Sequence, residues 1–289
     1  MTKKLIVNAD GFGFTFGNNK GILETLEAGI VRSISTNVNF PAVEEIHKVA
    51  ENYPSVSIGI HLDLTVGKPV SKPADIPSLL GKNGEFYPPP EFVKRLLLRR
   101  IKRDEIEREL SNQIEKLLDM RIKITHWDSH QNQHLNPGFF YPAVKITKKY
   151  GIERMRTHRH YLLTIEPNHK IVVLKYYLKH LDRLIVHSSD RYLNWVARRR
   201  GIRMADRIIS PGRTDKMRKY HPETWENLFR TLPEGVSEFY CHPGYPDDCL
   251  RQNATYVEQR DIERKILLDP NLLKFAQDCG VELISFNDI

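Results

Sequence analysis

Short apolar runs alternate with segments whose apolar residues recur every three or four positions, from one end of the chain to the other. Residues 5–9 form the first apolar run and predict a strand. Ile22, Leu23, Leu26 and Ile30 follow at helical spacing, with Gly29 near the expected helix stop. Residues 34–39 predict a second strand, and Val43, Ile46, Val49 and Ala50 a second helix. Alternation is strictest over residues 56–64. There Val56, Ile58, Ile60, Leu62 and Leu64 share one face, and Ser57, Gly59, His61 and Asp63 the other. A strand of that period points His61 and Asp63 the same way.

Residues 66–90 hold Pro69, Pro73, Pro77, Pro88, Pro89 and Pro90 and predict a long loop. A loop of that length inside a compact domain is usually functional, so a substrate-facing wall or lid is expected. Ile106, Leu110, Ile114, Leu117 and Leu118 predict a helix that feeds a strand around Ile122 and Ile124. Further strands are expected at residues 153–156, 207–209, 237–241 and 281–286, and helices at 142–150, 192–200 and 222–228. Strands alternating with helices imply a parallel sheet of right-handed crossovers. The expected fold is α/β: a TIM-like (β/α) barrel, regular or irregular, forming a single domain over residues 1–289. An open doubly wound sheet is the alternative.

Composition adds exclusions. Hydrophobic residues at 40% and charged residues at 28% describe an ordinary globular protein. Cys241, Cys249 and Cys279 are too scattered for a disulfide framework, and no C-x-x-C pair suggests structural zinc. The apolar stretch at the N-terminus is too short for a signal sequence, and no run is long enough to span a bilayer. A cytoplasmic protein without a membrane partner is expected. The net charge is +8, yet the basic run at residues 99–103 borders Asp104, Glu105, Glu107 and Glu109. That pattern reads as a self-complementing helix face, so no nucleic-acid partner is expected. A homodimer is left open.

The chemistry concentrates in Thr125-His126-Trp127-Asp128-Ser129-His130-Gln131-Asn132-Gln133-His134, which places His126, His130, His134 and Asp128 together. Asn8-Ala9-Asp10 follows the first predicted strand, His61 and Asp63 lie on the third, and Cys241-His242-Pro243-Gly244 follows the strand near residue 240. In a barrel these strand ends meet on one face. Imidazoles and a carboxylate there could hold a divalent metal, with a separate carboxylate accepting a proton and a separate histidine donating one. That set of roles suits hydrolysis of an amide or ester. The alternative for Asp10 is helix capping, for His61 a satisfied core histidine, and for His242 ordinary turn chemistry. His134, His158 and His160 stay unassigned.

Together with Gly11-Phe12-Gly13 and Gly59-Ile60-His61-Leu62-Asp63-Leu64-Thr65, these segments resemble, in order and spacing, the YdjC-like carbohydrate deacetylase family. The resemblance implies a TIM-like barrel that hydrolyses the N-acetyl group of an amino sugar with a divalent metal, magnesium or zinc. It implies that His61 and His130 bind the metal, that Asp10 is the general base, and that His242 orients or protonates the leaving amine. Asp128, Asp63 and Arg156 would support the ligands or contact substrate. The family's second motif aspartate, a metal ligand, is Gly11 here, and another family histidine position is Asn132. A catalytically weakened or inactive relative that binds sugar or a partner is therefore the second expectation.

Overall fold

A computed structural model describes residues 2–289. The elements run β1 (Lys3–Phe12), α1 (Phe16–Glu27), β2 (Ser33–Thr36), α2 (Ile46–Asn52), β3 (Ser57–Leu62), α3 (Pro89–Leu97), α4 (Arg103–Asp119) and β4 (Trp127–Ser129). They continue with α5 (Pro137–Lys149), β5 (His160–Leu162), α6 (His169–Lys179), α7 (Leu181–Arg199), β6 (Arg207–Ser210), α8 (Pro222–Thr231), β7 (Gly235–Cys241), α9 (Asp248–Asn253), α10 (Glu258–Leu267), α11 (Pro270–Asp278) and β8 (Val281–Ile284). Every strand pair is parallel, in the order β4-β3-β2-β1-β7-β6-β5, with β8 also paired to β1. The sheet curls into an irregular TIM-like half-barrel with helices around it, as the α/β alternation predicts.

β1 organises that curl because it is long enough to serve three neighbours. Its first residues pair β8, its length pairs β7, and Asn8 to Phe12 pair β2. Leu5, Ile6, Val7 and Ala9 are fully buried, which a strand covered on both faces requires. α1 starts earlier than apolar spacing alone indicates, because Thr15 caps it by accepting a hydrogen bond from the Asn18 N–H at 3.1 Å. In β3 both faces are buried, so its Ser57, Gly59 and His61 face points into the protein rather than to water.

Three sequence expectations need correction. The fourth strand is Trp127–Ser129, inside the histidine cluster, rather than the Ile122–Ile124 stretch; the latter follows a turn at Arg121, whose φ is 60°. Residues 153–156 form isolated bridges, Trp127 to Met155 and Arg154 to Arg203, and the regular fifth strand is β5. Only Met155 in that stretch is fully apolar, so little drives it into a ladder. It nonetheless docks on β4: the Trp127 N–H donates to the Arg154 carbonyl at 3.0 Å and the Arg156 N–H to the Trp127 carbonyl at 3.1 Å. Finally, residues 66–90 begin beside Phe14 and Phe40 and then run as a strap against α4. Glu109 accepts from the backbone N–H groups of Val70 and Ser71, and Glu105 from that of Ser78. Ile76, Leu79, Leu80 and Phe86 of the strap are buried, and none of its residues lines the cavity described below.

A close approach fixes one glycine. A Cβ on Gly59 would overlap the His126 imidazole, which is stacked on Phe286 with ring centroids 3.8 Å apart. Gly59→Ala is therefore expected to destabilise the fold by about 1–3 kcal/mol, the usual cost of overpacking a tight core. Urea unfolding of the two proteins measures it.

Candidate active site

At the C-terminal ends of β1, β3, β4 and β7 lies a cavity of about 250 Å³ bordered by Asp10, His61, His130, Arg156, Tyr240 and His242. Its charge is organised by Arg156, which is 1% exposed. The bridging segment that docks on β4 delivers this side chain inward. Its two terminal nitrogens donate to both Asp10 oxygens at 2.7 Å, Nη1 also lies 2.8 Å from Asp128 Oδ2, and Nε donates to Glu238 Oε1 at 2.6 Å. Burial works to raise the Asp10 pKa, but Arg156, His61 and His242 outweigh it, and the carboxyl lies well below the usual carboxylate range. Glu238 is the reverse case: burial outweighs Arg156 and pushes it up to about 7.

The two predicted metal histidines come together. His61 Nδ1 is 2.7 Å from Asp128 Oδ1, and the His61 and His130 ring centroids are 5.5 Å apart at 80°. Burial works against a charge on His61, yet Asp128 and Asp10 beside it hold its pKa above the ordinary histidine value. Asp128 is held below its ordinary value against the effect of burial by Arg156 and His61. His130 is instead lowered, first by burial. Asn8 joins the carboxylates by donating to Asp10 Oδ1 at 2.7 Å and to Ser35 Oγ at 2.9 Å, and Ser35 in turn donates to Asp128 Oδ2 at 3.0 Å.

His242 reaches the same cavity from the end of β7. Its backbone N–H donates to Glu263 at 2.7 Å and its buried Nδ1 has no partner among the described residues. Burial, then Arg260 and Lys219, put its pKa well below the ordinary value. Asp63 faces another way from the reading given by strand alternation. It lies past the end of β3, where Oδ1 accepts from the Thr65 and Val66 N–H groups, and it does not line the cavity. His126 is a core strut, hydrogen-bonded with Thr125 at 2.8 Å and Asn8 at 3.2 Å, with burial lowering its pKa to about 3. His134 is enclosed by Ser129 and His158.

Several lining residues carry no sequence motif. Asn37, Tyr256 and Arg260 line the cavity without any signal in the sequence, whereas Glu238, which holds Arg156 from outside the lining, had one, a carboxylate within an apolar strand. Three of the unmarked polar residues, Asn18, Asn37 and Arg260, surround Gly11, whose φ is 97°. A Cβ built there would sit 3.6 Å from Asn18 Nδ2, 3.7 Å from Arg260 Nη1 and 3.8 Å from Asn37 Oδ1. Asn18 Nδ2, Asn37 Nδ2 and Arg260 Nη1 are buried without partners among the described residues. The hollow has room for a side chain, but its backbone conformation strains any residue except glycine.

The donor set is compatible with a divalent metal. Asp10, His61 and Asp128 each bring a ligand atom within 4.8 Å of the others. Arg156 already occupies both carboxylates, however, and His61 Nδ1 is committed to Asp128. The atoms left uncommitted are His61 Nε2, the His130 ring, which makes no side-chain hydrogen bond among the described residues, and the buried Oδ2 of Asp63, whose charge acts on His130.

Residues 4–278 match the family described as YdjC-like protein, and the chain belongs to that family. It is 33% identical, over 100% of its own length and 98% of the relative's, to a carbohydrate deacetylase of Geobacillus stearothermophilus. A carbohydrate deacetylase of Thermoanaerobacter pseudethanolicus is 31% identical over 99% of this chain and 98% of that one. A crystal structure from Enterococcus faecalis V583 shares the fold with a TM-score of 0.74 at 24% identity, covering 100% of this chain and 99% of the other.

Removing the guanidinium tests the electrostatic account. In Arg156→Met the largest charge opposing burial is gone and only His61 and His242 remain to set against it, so the folded pKa values of Asp10, Asp128 and Glu238 rise above those of the unfolded chain. Stability then falls as pH rises past the unfolded carboxylate range, the opposite sign to the intact protein, where depressed carboxylate pKa values favour folding above that range. The expected loss at pH 7.5 is about 3–5 kcal/mol, as for breaking a buried ion pair, and clearly smaller at pH 5. Urea unfolding at the two pH values measures it.

Proposed function

We propose that this single-domain chain is a carbohydrate deacetylase that hydrolyses the acetamide of an N-acetylated amino sugar. The observation that carries the reading is the convergence of Asp10, His61, His130 and His242 on one cavity, in a chain whose full-length relatives are named carbohydrate deacetylases. Asp10 is the proton acceptor. A carboxylate offers about four lone-pair directions; Asp10 Oδ1 accepts from Arg156 Nη2 and Asn8 Nδ2, and Oδ2 accepts from Arg156 Nη1. One direction on Oδ2 stays free beside the cavity for the proton of an attacking water. Arg156 keeps the group ionised at neutral pH and fixes its plane. The proton that Asp10 takes from the water goes on to the leaving amine, which His242 orients from the end of β7.

His61 Nε2 and His130 would hold the divalent metal, with Asp128 fixing the His61 ring from behind. When bound, such a metal supplies Lewis-acid polarisation of the acetamide carbonyl and acidifies water. A donor set of two imidazoles without the carboxylate missing at Gly11 favours zinc over magnesium. The sugar extends into an adjoining cavity of about 460 Å³ that shares Asn132, Tyr240, His242 and Tyr256 with the first. Asp10→Asn is expected to reduce acetate release from N-acetylglucosamine oligomers by about 10²–10⁴-fold, the usual worth of a positioned proton acceptor. His61→Ala should abolish turnover and the binding of metal at this cavity. Turnover of Asp10→Asn equal to that of the parent chain would remove Asp10 from the chemistry.

One observation favours a second reading, a weakened relative that retains sugar binding. Gly11 leaves the metal side of the cavity short of a carboxylate and brings the Arg260 guanidinium into its place. Gly11→Asp discriminates the two. The substitution should cost about 1–3 kcal/mol in backbone strain while tightening zinc about 10–100-fold and raising turnover. Calorimetric zinc titration and the acetate assay read both effects; unchanged zinc affinity would mean that Arg260 and Asn18 capture the new carboxylate instead.

A further inference from the structure

Beyond the metal-binding end of the candidate active site, His160 on β5, which also borders the adjoining cavity of about 460 Å³, forms a second cluster with His187 and Asp190 on α7. One ligand atom of each lies within 4.8 Å of those of the other two. His187 and Asp190 are three residues apart on one helix and so share a face. His160 and His187 stack with centroids 4.5 Å apart, and His160 Nε2 is 3.8 Å from Asp190 Oδ2, too far for a hydrogen bond.

The surroundings prepare these groups as ligands. His160 Nδ1 lies 2.7 Å from Ser210 Oγ, and His187 Nδ1 lies 2.7 Å from Tyr177 Oη. Each oxygen can accept the Nδ1 proton, which leaves the Nε2 lone pair of both rings free. That is the arrangement by which oxygens behind metal-bound histidines fix the tautomer. Asp190 is 1% exposed, accepts no hydrogen bond among the described residues, and its Oδ2 is buried without a partner. An unpaired carboxylate at that depth is costly unless a cation or proton meets it.

We propose that His160, His187 and Asp190 form a second metal site, for zinc or a similar transition-metal ion, that clamps α7 to the sheet. An ion centred among atoms 4.8 Å apart is about 2.8 Å from each, so adjustments of well under 1 Å reach the ~2.0–2.2 Å of zinc ligation. Two imidazoles and one carboxylate suit zinc rather than magnesium or calcium, which prefer all-oxygen shells. A cavity of about 250 Å³ borders both histidines and leaves a fourth position open. Arg159, Arg191 and Arg207 line the same cavity and favour an anionic fourth ligand such as hydroxide or chloride.

The site is separable from the one proposed for catalysis. The His61→Ala/His130→Ala double variant, stripped with chelator and dialysed against zinc, should retain one zinc per chain by elemental analysis. Adding Asp190→Asn or, separately, His187→Gln should weaken that zinc by about 100-fold or more, beyond the loss typical of residues behind the ligands. Cobalt loaded into the double variant should give visible d–d bands that either addition removes. Zinc should also raise the melting temperature of the double variant and not of the two additions; circular dichroism of the zinc-free proteins establishes that all are folded. A double variant that binds no zinc, or one whose zinc and cobalt signals survive both Asp190→Asn and His187→Gln, overturns the proposal. Loss of acetate release by the double variant, with its zinc retained, leaves this site standing on its own.

Discussion

One guanidinium shared by three carboxylates is the constraint on which the site depends. Arg156 reaches Asp10 on β1, Asp128 on β4 and Glu238 on β7, so a single side chain ties the paired strands β1 and β7 to β4 at one end of the sheet order. In so buried a place none of these charges is stable alone, and their arrangement must be made together or not at all. The geometry imposes a division of labour. Asp10 and Asp128 are held ionised, Glu238 is pushed up to about 7, and His61 is drawn toward its charged form. Each difference follows from how many positive neighbours a group has to set against its burial.

The backbone explains how Arg156 can be in this position. Residues 153–156 do not make a full strand, yet two hydrogen bonds to Trp127 align the segment with β4. Because the irregular closure of the barrel falls there, the break in the sheet and the focus of its electrostatics are the same few residues. A regular ladder would have required pairing along both edges of the segment, which its composition does not favour.

Much of this was legible in the sequence, and unevenly so. The parallel sheet followed from the alternation of apolar patterns, and β3 from strict period-two alternation, though not the burial of the face that carries His61. Asp10, His61, His130 and His242 were marked because each ends or follows a strand within a recognisable motif. The position of β4 was misplaced because the cluster's polar residues are buried by β3 and the bridging segment, an environment that composition does not reveal. The loop at residues 66–90 was read from its prolines as a lid, whereas Glu105 and Glu109 of α4 draw its backbone inward. Arg260 and Asn37 were invisible because their roles arise from tertiary placement alone.

Gly11 stands beside this network without belonging to it. None of the bonds linking Asn8, Asp10, Ser35, Asp128 and Arg156 passes through position 11, and the groups facing it are the unpaired ones. The network that orients Asp10 therefore makes no bond that depends on position 11, and the cost of a side chain there is confined to the local backbone. A lineage can discard or reinstate a side chain there in one mutational step without rebuilding the barrel. The charge of the cavity can thus change at that one position while the bonds that hold its walls stay as they are.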